Sequence, residues 1–321
     1  MPAANPFIHD SVLLRKVVEL FEPVEDGTIV DATTGAGGHS LALAEARPGR
    51  RLLCLDQDPD ALAAARERLA GLGDRVRFAH TRFDHLPDVV TEADRPIRGV
   101  LFDLGVSSPQ FDRGERGFSY RHDGPLDMRM DPSSDGPTAA DLVNGLPANE
   151  LARLLRHHGD ERFADRVARA IVAARPVTAT VQLAEIVRAA IPAATRRTGG
   201  HPAKRTFQAL RIAVNDEAAV LDAGLDAALD LVAPGGRVAV ITFHSGEDRA
   251  VKRRFRLAET GGCTCPTGLP CACGAVREFR LLKRGGWTPT PDELHANPRS
   301  ASARLRAVEK LRTPDTPEVR S

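Results

Sequence analysis

The sequence lacks what would tie it to a membrane or hold it to a polyanion by bulk charge. No run of about 18 apolar residues occurs in its 321 positions, which argues against a membrane-spanning helix. The opening MPAANPFIHD carries neither a cationic nor an apolar stretch, so no secretory leader is expected. Charge of one sign is missing too. Lys and Arg number 44 against 43 Asp and Glu, a net charge of +1, so a polyanionic partner would have to be met by local patches. No internal repeat is visible. Cysteine is scarce and uneven: of five, Cys54 stands alone in L-L-C-L and the other four crowd into 263–273. With 42% apolar and 27% charged residues, the expectation is a cytoplasmic globular protein with no membrane partner.

What is there is an alternation of apolar runs and helical patterns, the mark of a parallel α/β sheet. Strands are predicted at 28–33, 51–56, 75–80 and 98–104, with helices at 39–46 and 59–70. From Gln110 to about Ser134 the pattern stops in a Gly-, Asp- and Arg-rich loop. Helical periodicity returns at 139–156, 161–174 and 180–190, a second polar loop follows at 195–202, and helices are predicted near 203–215 and 217–232. Further strands are expected at 237–243, 278–283 and 302–310, the last two antiparallel. The domain reading is a discontinuous α/β domain, 1–112 and 214–321, and an inserted helical domain, 113–213.

The first strand runs into D-A-T-T-G-A-G-G-H-S, Asp31 to Ser40, with three glycines in four positions. A P-loop would need G-x-x-x-x-G-K-[ST], and no lysine follows. A dinucleotide fingerprint would need a third glycine where Ser40 stands. Asp56 ends the second predicted strand 21 residues after Gly35, where a carboxylate can accept from ribose hydroxyls. Asp31 and Asp56 around a glycine loop suit a cationic ligand better than a pyrophosphate. S-adenosylmethionine carries a sulfonium and an ammonium, and its carboxylate can rest on the helix N-terminus at Gly38 and His39. The alternative is a structural βα turn with ordinary acidic caps.

The fourth strand runs into D-L-G-V-S-S-P-Q-F, Asp103 to Phe111, which would open on the same crevice. Enzymes that methylate exocyclic amines often carry a Ser/Asp/Asn-Pro-Pro-aromatic segment here, and Ser108-Pro109-Gln110-Phe111 is similar, with Gln for the second proline. A conjugated amine is a poor nucleophile. Acceptors on its N–H groups draw the nitrogen towards tetrahedral geometry while an aromatic face holds the base. A plain proline turn after a strand is the other reading.

Taken together, the chain resembles the ribosomal RNA small-subunit methyltransferase H family. The resemblance rests on H-D-S-V-L-L at 9–14, G-A-G-G-H-S at 35–40, D-L-G-V-S-S-P-Q at 103–110, G-F-S-Y-R-H-D-G-P-L-D-M-R-M-D-P at 117–132, K-R-T-F-Q-A-L-R-I-A-V-N-D-E at 204–217, F-H-S-G-E-D-R-A-V-K at 243–252 and N-P-R-S-A-S-A-R-L-R-A at 297–307. Gly246 departs from it, standing where the family usually has a larger apolar residue. The resemblance implies a Rossmann-like seven-stranded S-adenosylmethionine-dependent methyltransferase fold with an inserted helical substrate-recognition domain. It implies N4-methylation of a specific cytidine in the decoding region of 16S rRNA, with the RNA or the assembling small ribosomal subunit as partner. It carries cofactor roles onto Gly37, Gly38, His39, Asp56, Phe83, Asp103 and Gln110; the catalytic role falls to Ser108 by its place in the S-P-Q-F segment. Read without it, Phe83 is core. Oligomeric state is left open, a homodimer among the alternatives.

No metal is assigned to the site. The cluster C-x-C-x5-C-x-C is left between a zinc site and free thiols in a surface hairpin. Pro270-Cys271 looks like the nucleophile of cytosine-C5 methyltransferases, but lies far from the fourth strand, where that chemistry would need it. Basic patches at Arg196, Arg197, His201, Lys204 and Arg205, at Arg249 to Arg256, and at Lys283 and Arg284 before Trp287 could each contact phosphates or be solvated faces; the first borders the insertion and is preferred. A non-catalytic RNA-binding protein, or an amine methyltransferase acting on DNA, are the rival readings.

Overall fold

The computed structural model describes residues 11–193, 201–266 and 271–315. Seven strands form one sheet: β1 (Thr28–Asp31), β2 (Arg51–Asp56), β3 (Val76–His80), β4 (Ile97–Asp103), β5 (Arg237–Thr242), β6 (Arg277–Leu281) and β7 (Arg304–Asp315). Their order is β3-β2-β1-β4-β5-β7-β6. The first five run parallel, and β7 is antiparallel to both β5 and β6. This is the expected Rossmann-like architecture of S-adenosylmethionine-dependent methyltransferases. β1 and β4 are neighbours at the point where the order reverses, so the loops after them diverge and leave a crevice at the carboxyl ends of the strands.

Alternation along the strands decides which face each side chain covers. Val30, Leu53, Leu55, Phe102, Val238 and Val240 pack on one face with residues of helix Glu217–Leu231 and helix Ser245–Thr260. Ile29, Leu52, Cys54, Leu101, Ala239 and Ile241 pack on the other with helix Leu14–Phe21 and helix Gly38–Glu45. Each fully buried aliphatic side chain here contributes about 1.5–3 kcal/mol of transfer free energy. Both faces are covered, which is why these strands read as continuous apolar runs.

One buried cation ties two of those helices together. Arg50 is 1% exposed, and its guanidinium donates to the carbonyls of Leu43 (3.0 Å) and Phe21 (2.7 Å). Both oxygens belong to final turns, where a positive charge meets the negative end of the helix dipole.

The chain divides into two compact units, one reaching to Gly105 and resuming at Ala219, the other Val106–Ala218. The sequence-based limits, 113 and 213, fall inside the second unit. That unit has its own core, in which Phe118, Met128, Leu155, Ile171, Leu183 and Phe207 are buried. The single helix expected at 139–156 is two, Ala139–Gly145 and Ala148–Gly159. Pro147 stands between them and pushes the residue before it out of helical geometry. Helices 14–21 and 245–260 were not anticipated. Among the described residues no helix is long and apolar enough to cross a membrane.

Candidate functional site

The crevice is built from three strand ends. After β1 the backbone turns tightly: Thr34 N–H donates to the Leu55 carbonyl (2.9 Å) and Gly37 N–H to the Thr34 carbonyl (2.8 Å). Gly37 has φ +78°, a left-handed value that favours glycine. Gly38 makes a different kind of close approach. A Cβ there would lie 2.1 Å from Ser11 Oγ, so the helix N-terminus is seated directly against the preceding segment. The sequence reading gave Ser11 no such part, since nothing in its spacing to Gly38 suggests contact.

Asp56, at the end of β2, holds the loop from the side. Its Oδ2 accepts from Gly35 N–H at 2.8 Å and its Oδ1 from Asp58 N–H at 2.9 Å. Burial pushes this carboxyl up to about 6, against the lowering effect of the two N–H donors. A carboxylate offers about four acceptor sites. With one on each oxygen taken by the backbone, the remaining pair matches a cis-diol.

Asp103, at the end of β4, is fixed through its own N–H, which donates to Thr33 Oγ1 at 2.6 Å. Its Oδ2 lies 3.5 Å from His39 Nε2, and His39 is 5% exposed. Among the described residues, neither ring nitrogen of His39 nor Oδ1 of Asp103, all buried, has a hydrogen-bond partner. Orphaned polar atoms of this kind cost about 1–3 kcal/mol each, and gathered in one crevice they mark a place shaped for a polar ligand.

Asp31 plays a different part from the one its position suggested. It is 1% exposed, accepts from Ser40 Oγ at 2.6 Å, and burial raises its pKa. Ser40, next to Cys54 (3.3 Å), anchors the loop from beneath. Phe83 is core by packing: it is 8% exposed, its ring sits edge-on to Phe102 (5.3 Å), and a Cβ on Gly224 would come within 2.4 Å of it.

Gly37, Gly38, His39, Asp56, Phe83 and Asp103 thus share the first unit. Ser108 and Gln110 begin the second, in the short helix Ser108–Asp112. The Ser108 side chain lies outside what the structure describes. Gln110 is 7% exposed and its Oε1 accepts from Ser107 N–H at 2.9 Å, which closes the turn after β4. A depression of about 550 Å³, lined by Arg95, Ile97, Asp230, Pro234 and Lys310, lies at the opposite, amino end of β4 and includes none of these residues.

Of the basic patches, Arg253 and Arg254 are paired with Asp222 and Asp226, as a solvated helix face would be. Lys204 and Arg205 are exposed, and Arg205 donates to the Asp160 carbonyl at 3.0 Å. Arg196, Arg197 and Pro270 lie outside the described residues. His244, for which the sequence suggested only packing, caps helix 245–260: its Nδ1 accepts from the N–H groups of Gly246 and Glu247. Histidine is unusual as a cap, which hides this role from pattern reading.

A seven-stranded sheet in this order, with a glycine turn after β1 and acidic side chains at the ends of β2 and β4, defines a methyltransferase of the Rossmann-like class. The MraW methylase family is matched over residues 6–311. The chain belongs to that family. It is 51% identical over 313 residues to the ribosomal RNA small subunit methyltransferase H of Heliobacterium modesticaldum, covering 95% of this chain and 99% of that one. To the protein of the same name from Symbiobacterium thermophilum it is 53% identical over 315 residues, covering 95% and 97%. Among solved structures it is similar to a putative methyltransferase from Streptococcus mutans in complex with SAH, with a TM-score of 0.45 and 15% identity over 94% of this chain and 99% of that one. That likeness is too distant to bear on its chemistry.

Proposed function

We propose that this protein uses S-adenosylmethionine to methylate the exocyclic N4 of a cytidine in the decoding region of small-subunit ribosomal RNA, in the cytoplasm. The observation that carries the cofactor reading is the crevice between β1 and β4, where His39 and Asp103 present orphaned buried atoms beside the glycine turn. The RNA reading is supported by relatives about half identical along nearly their whole length, each named as a small-subunit rRNA methyltransferase. The N4 reading rests on the residues that follow β4.

In this reading Asp56 accepts from the ribose hydroxyls, and Asp103 takes the ammonium. The N–H groups at Gly37, Gly38 and His39 receive the carboxylate at the helix N-terminus. Phe83 borders the adenine, and Gln110 holds the turn after β4 through Ser107 N–H. When bound, the cofactor supplies an electrophilic methyl group on a sulfonium. Ser108 accepts a hydrogen bond from the target amine, which draws the nitrogen lone pair out of conjugation and towards the methyl. The 106–218 unit holds the RNA, with Lys204 and Arg205 among the phosphate contacts.

The test is transfer of labelled methyl to small-subunit RNA, both naked and in partly assembled subunits, from cells lacking the protein. Digestion and mass spectrometry should give N4-methylcytidine at one position. A product of 5-methylcytidine or methyladenosine would overturn the N4 assignment, and no transfer to either substrate would overturn the RNA reading.

A further inference from the structure

Between helix Ser245–Thr260 and β6 the chain carries its four remaining cysteines, and the functional reading above makes no use of them. The Sγ atoms of Cys263, Cys265, Cys271 and Cys273 all lie within 4.8 Å of one another. Two of the separations, Cys263 to Cys271 and Cys271 to Cys273, are 3.5 Å. No pair is bonded as a disulfide. A tetrahedral zinc thiolate has Zn–S bonds of about 2.3 Å, which places its sulfurs roughly 3.8 Å apart. The observed spread brackets that value, whereas a disulfide would bring one pair to about 2.05 Å and leave the other sulfurs unplaced.

The surrounding backbone is shaped to bring the two C-x-C limbs together. Gly261 and Gly262 end the helix with φ +57° and +74°, and Gly274 leaves the second limb with φ +73°. A Cβ on Gly261 would fall 2.0 Å from the Val276 carbonyl oxygen, so the base of the hairpin is closed by direct backbone contact. N–H groups also point at the sulfurs. Ala272 N–H donates to Cys265 Sγ at 3.3 Å, and those of Thr264 and Ala275 donate to Cys273. Such donors offset the negative charge that four thiolates place around a divalent ion, and they orient the ligands.

We propose that Cys263, Cys265, Cys271 and Cys273 bind one zinc ion as a closed, structural tetrathiolate site. Binding releases the thiol protons to solvent and consumes no oxidant or reductant. The ion pins the end of helix 245–260 to the start of β6, which among the described residues is an edge strand paired with β7 alone. Four protein sulfurs leave no open coordination position, so the metal takes no part in methyl transfer.

The experiment uses the full chain, purified with a reductant and then exchanged into metal-free buffer. Elemental analysis should find about one zinc per chain. Replacing that zinc with cobalt(II) should give the intense visible absorption of a tetrahedral tetrathiolate. C263S/C265S/C271S/C273S should lose both signals, and Cys54→Ser should keep both. If the fourfold variant fails to fold, the cobalt spectrum of the unmodified chain still decides the ligand set. Zinc below about a tenth of an equivalent after incubation with the metal, a cobalt spectrum without thiolate bands, or bound iron in place of zinc would each overturn the proposal. So would alkylation and mass spectrometry that found paired disulfides in the reduced preparation.

Discussion

Replacing Asp56 by Asn tests the crevice with almost no change in volume. In the structure each Asp56 oxygen already accepts one backbone N–H, from Gly35 and from Asp58. Asn has one acceptor oxygen, and its amide nitrogen would turn two hydrogens towards a place now served by an acceptor. The variant therefore loses a loop contact and one of the bonds proposed to the ribose. A hydrogen bond to a charged group contributes about 1.5–3 kcal/mol, and 1.4 kcal/mol is tenfold in affinity. Titration calorimetry with S-adenosylhomocysteine at pH 7.5 should show a loss of roughly 10- to 150-fold. The pH dependence carries a second signature. Burial raises this carboxyl to about 6, so lowering the pH through that value protonates the group that accepts from the diol. Affinity of the unmodified protein should fall about tenfold per unit below pH 6, and that slope should be missing in Asp56→Asn. Asp58→Ala is the control. Asp58 caps the next helix through Asp60 N–H at 3.0 Å, so its loss should cost about 1 kcal/mol of stability and leave affinity within about threefold. Unchanged affinity in Asp56→Asn, or an identical pH slope in both proteins, would refute the assignment.

Other outcomes follow from contacts of the same kind. Gly38→Ala should weaken cofactor binding about threefold by forcing Ser11 Oγ aside, and adding Ser11→Ala should restore most of it. Failure of that rescue in calorimetry would mean the methyl group obstructs the ligand directly. Neutralising Arg196, Arg197, Lys204 and Arg205 together should weaken RNA binding and flatten its log–log salt dependence by roughly 0.7–0.9 per lost contact, with cofactor affinity unaltered; an unaltered slope would move the RNA surface elsewhere. Asp94 is drawn the opposite way to Asp56. Burial would raise it, but the Arg77 guanidinium at 2.6 and 3.1 Å and the Thr91 donors outweigh that and lower it. Its stabilisation is present above the ordinary carboxylate range and lost as pH falls through the lowered folded value. Thermal melts of Asp94→Asn should show a deficit of about 1 kcal/mol near neutral pH, modest because Arg77 is partly exposed, and the deficit should close only as the pH falls below the ordinary carboxylate range.

The parts of the fold that depend on local periodicity were readable in advance. All seven strands fall within three residues of their expected starts: β1, β2, β4 and β5, covered on both faces, read as apolar runs, while β6 and β7 are legible from their alternation. The glycine turn, Asp56 and Asp103 were legible for a related reason: their chemistry depends on position at a strand end. What stayed hidden depends on contacts distant in sequence. Ser11 meets Gly38 across 27 positions, and Arg50 reaches back to Phe21. Asp31 and Asp56 look alike in the sequence. Only the packing shows that Ser40 takes up the first while the second meets the backbone N–H groups of Gly35 and Asp58. Helix 245–260 is hidden by its charged run R-A-V-K-R-R-F-R, in which Val251 and Phe255 alone are buried, along one side.

The position of the 106–218 unit within the chain has a consequence for synthesis. β4 ends at Asp103, but its neighbour β5 begins only at Arg237. While a ribosome adds the intervening stretch of about 130 residues, the half-sheet β3-β2-β1-β4 waits with one long apolar margin unpaired, for roughly 7–26 s at bacterial elongation rates. The second unit, with its separate core, can fold during that interval. The parent sheet closes only when the last quarter of the polypeptide emerges. Nascent chains stalled between Asp103 and Arg237 are therefore the stage at which this protein is most open to aggregation and to chaperones.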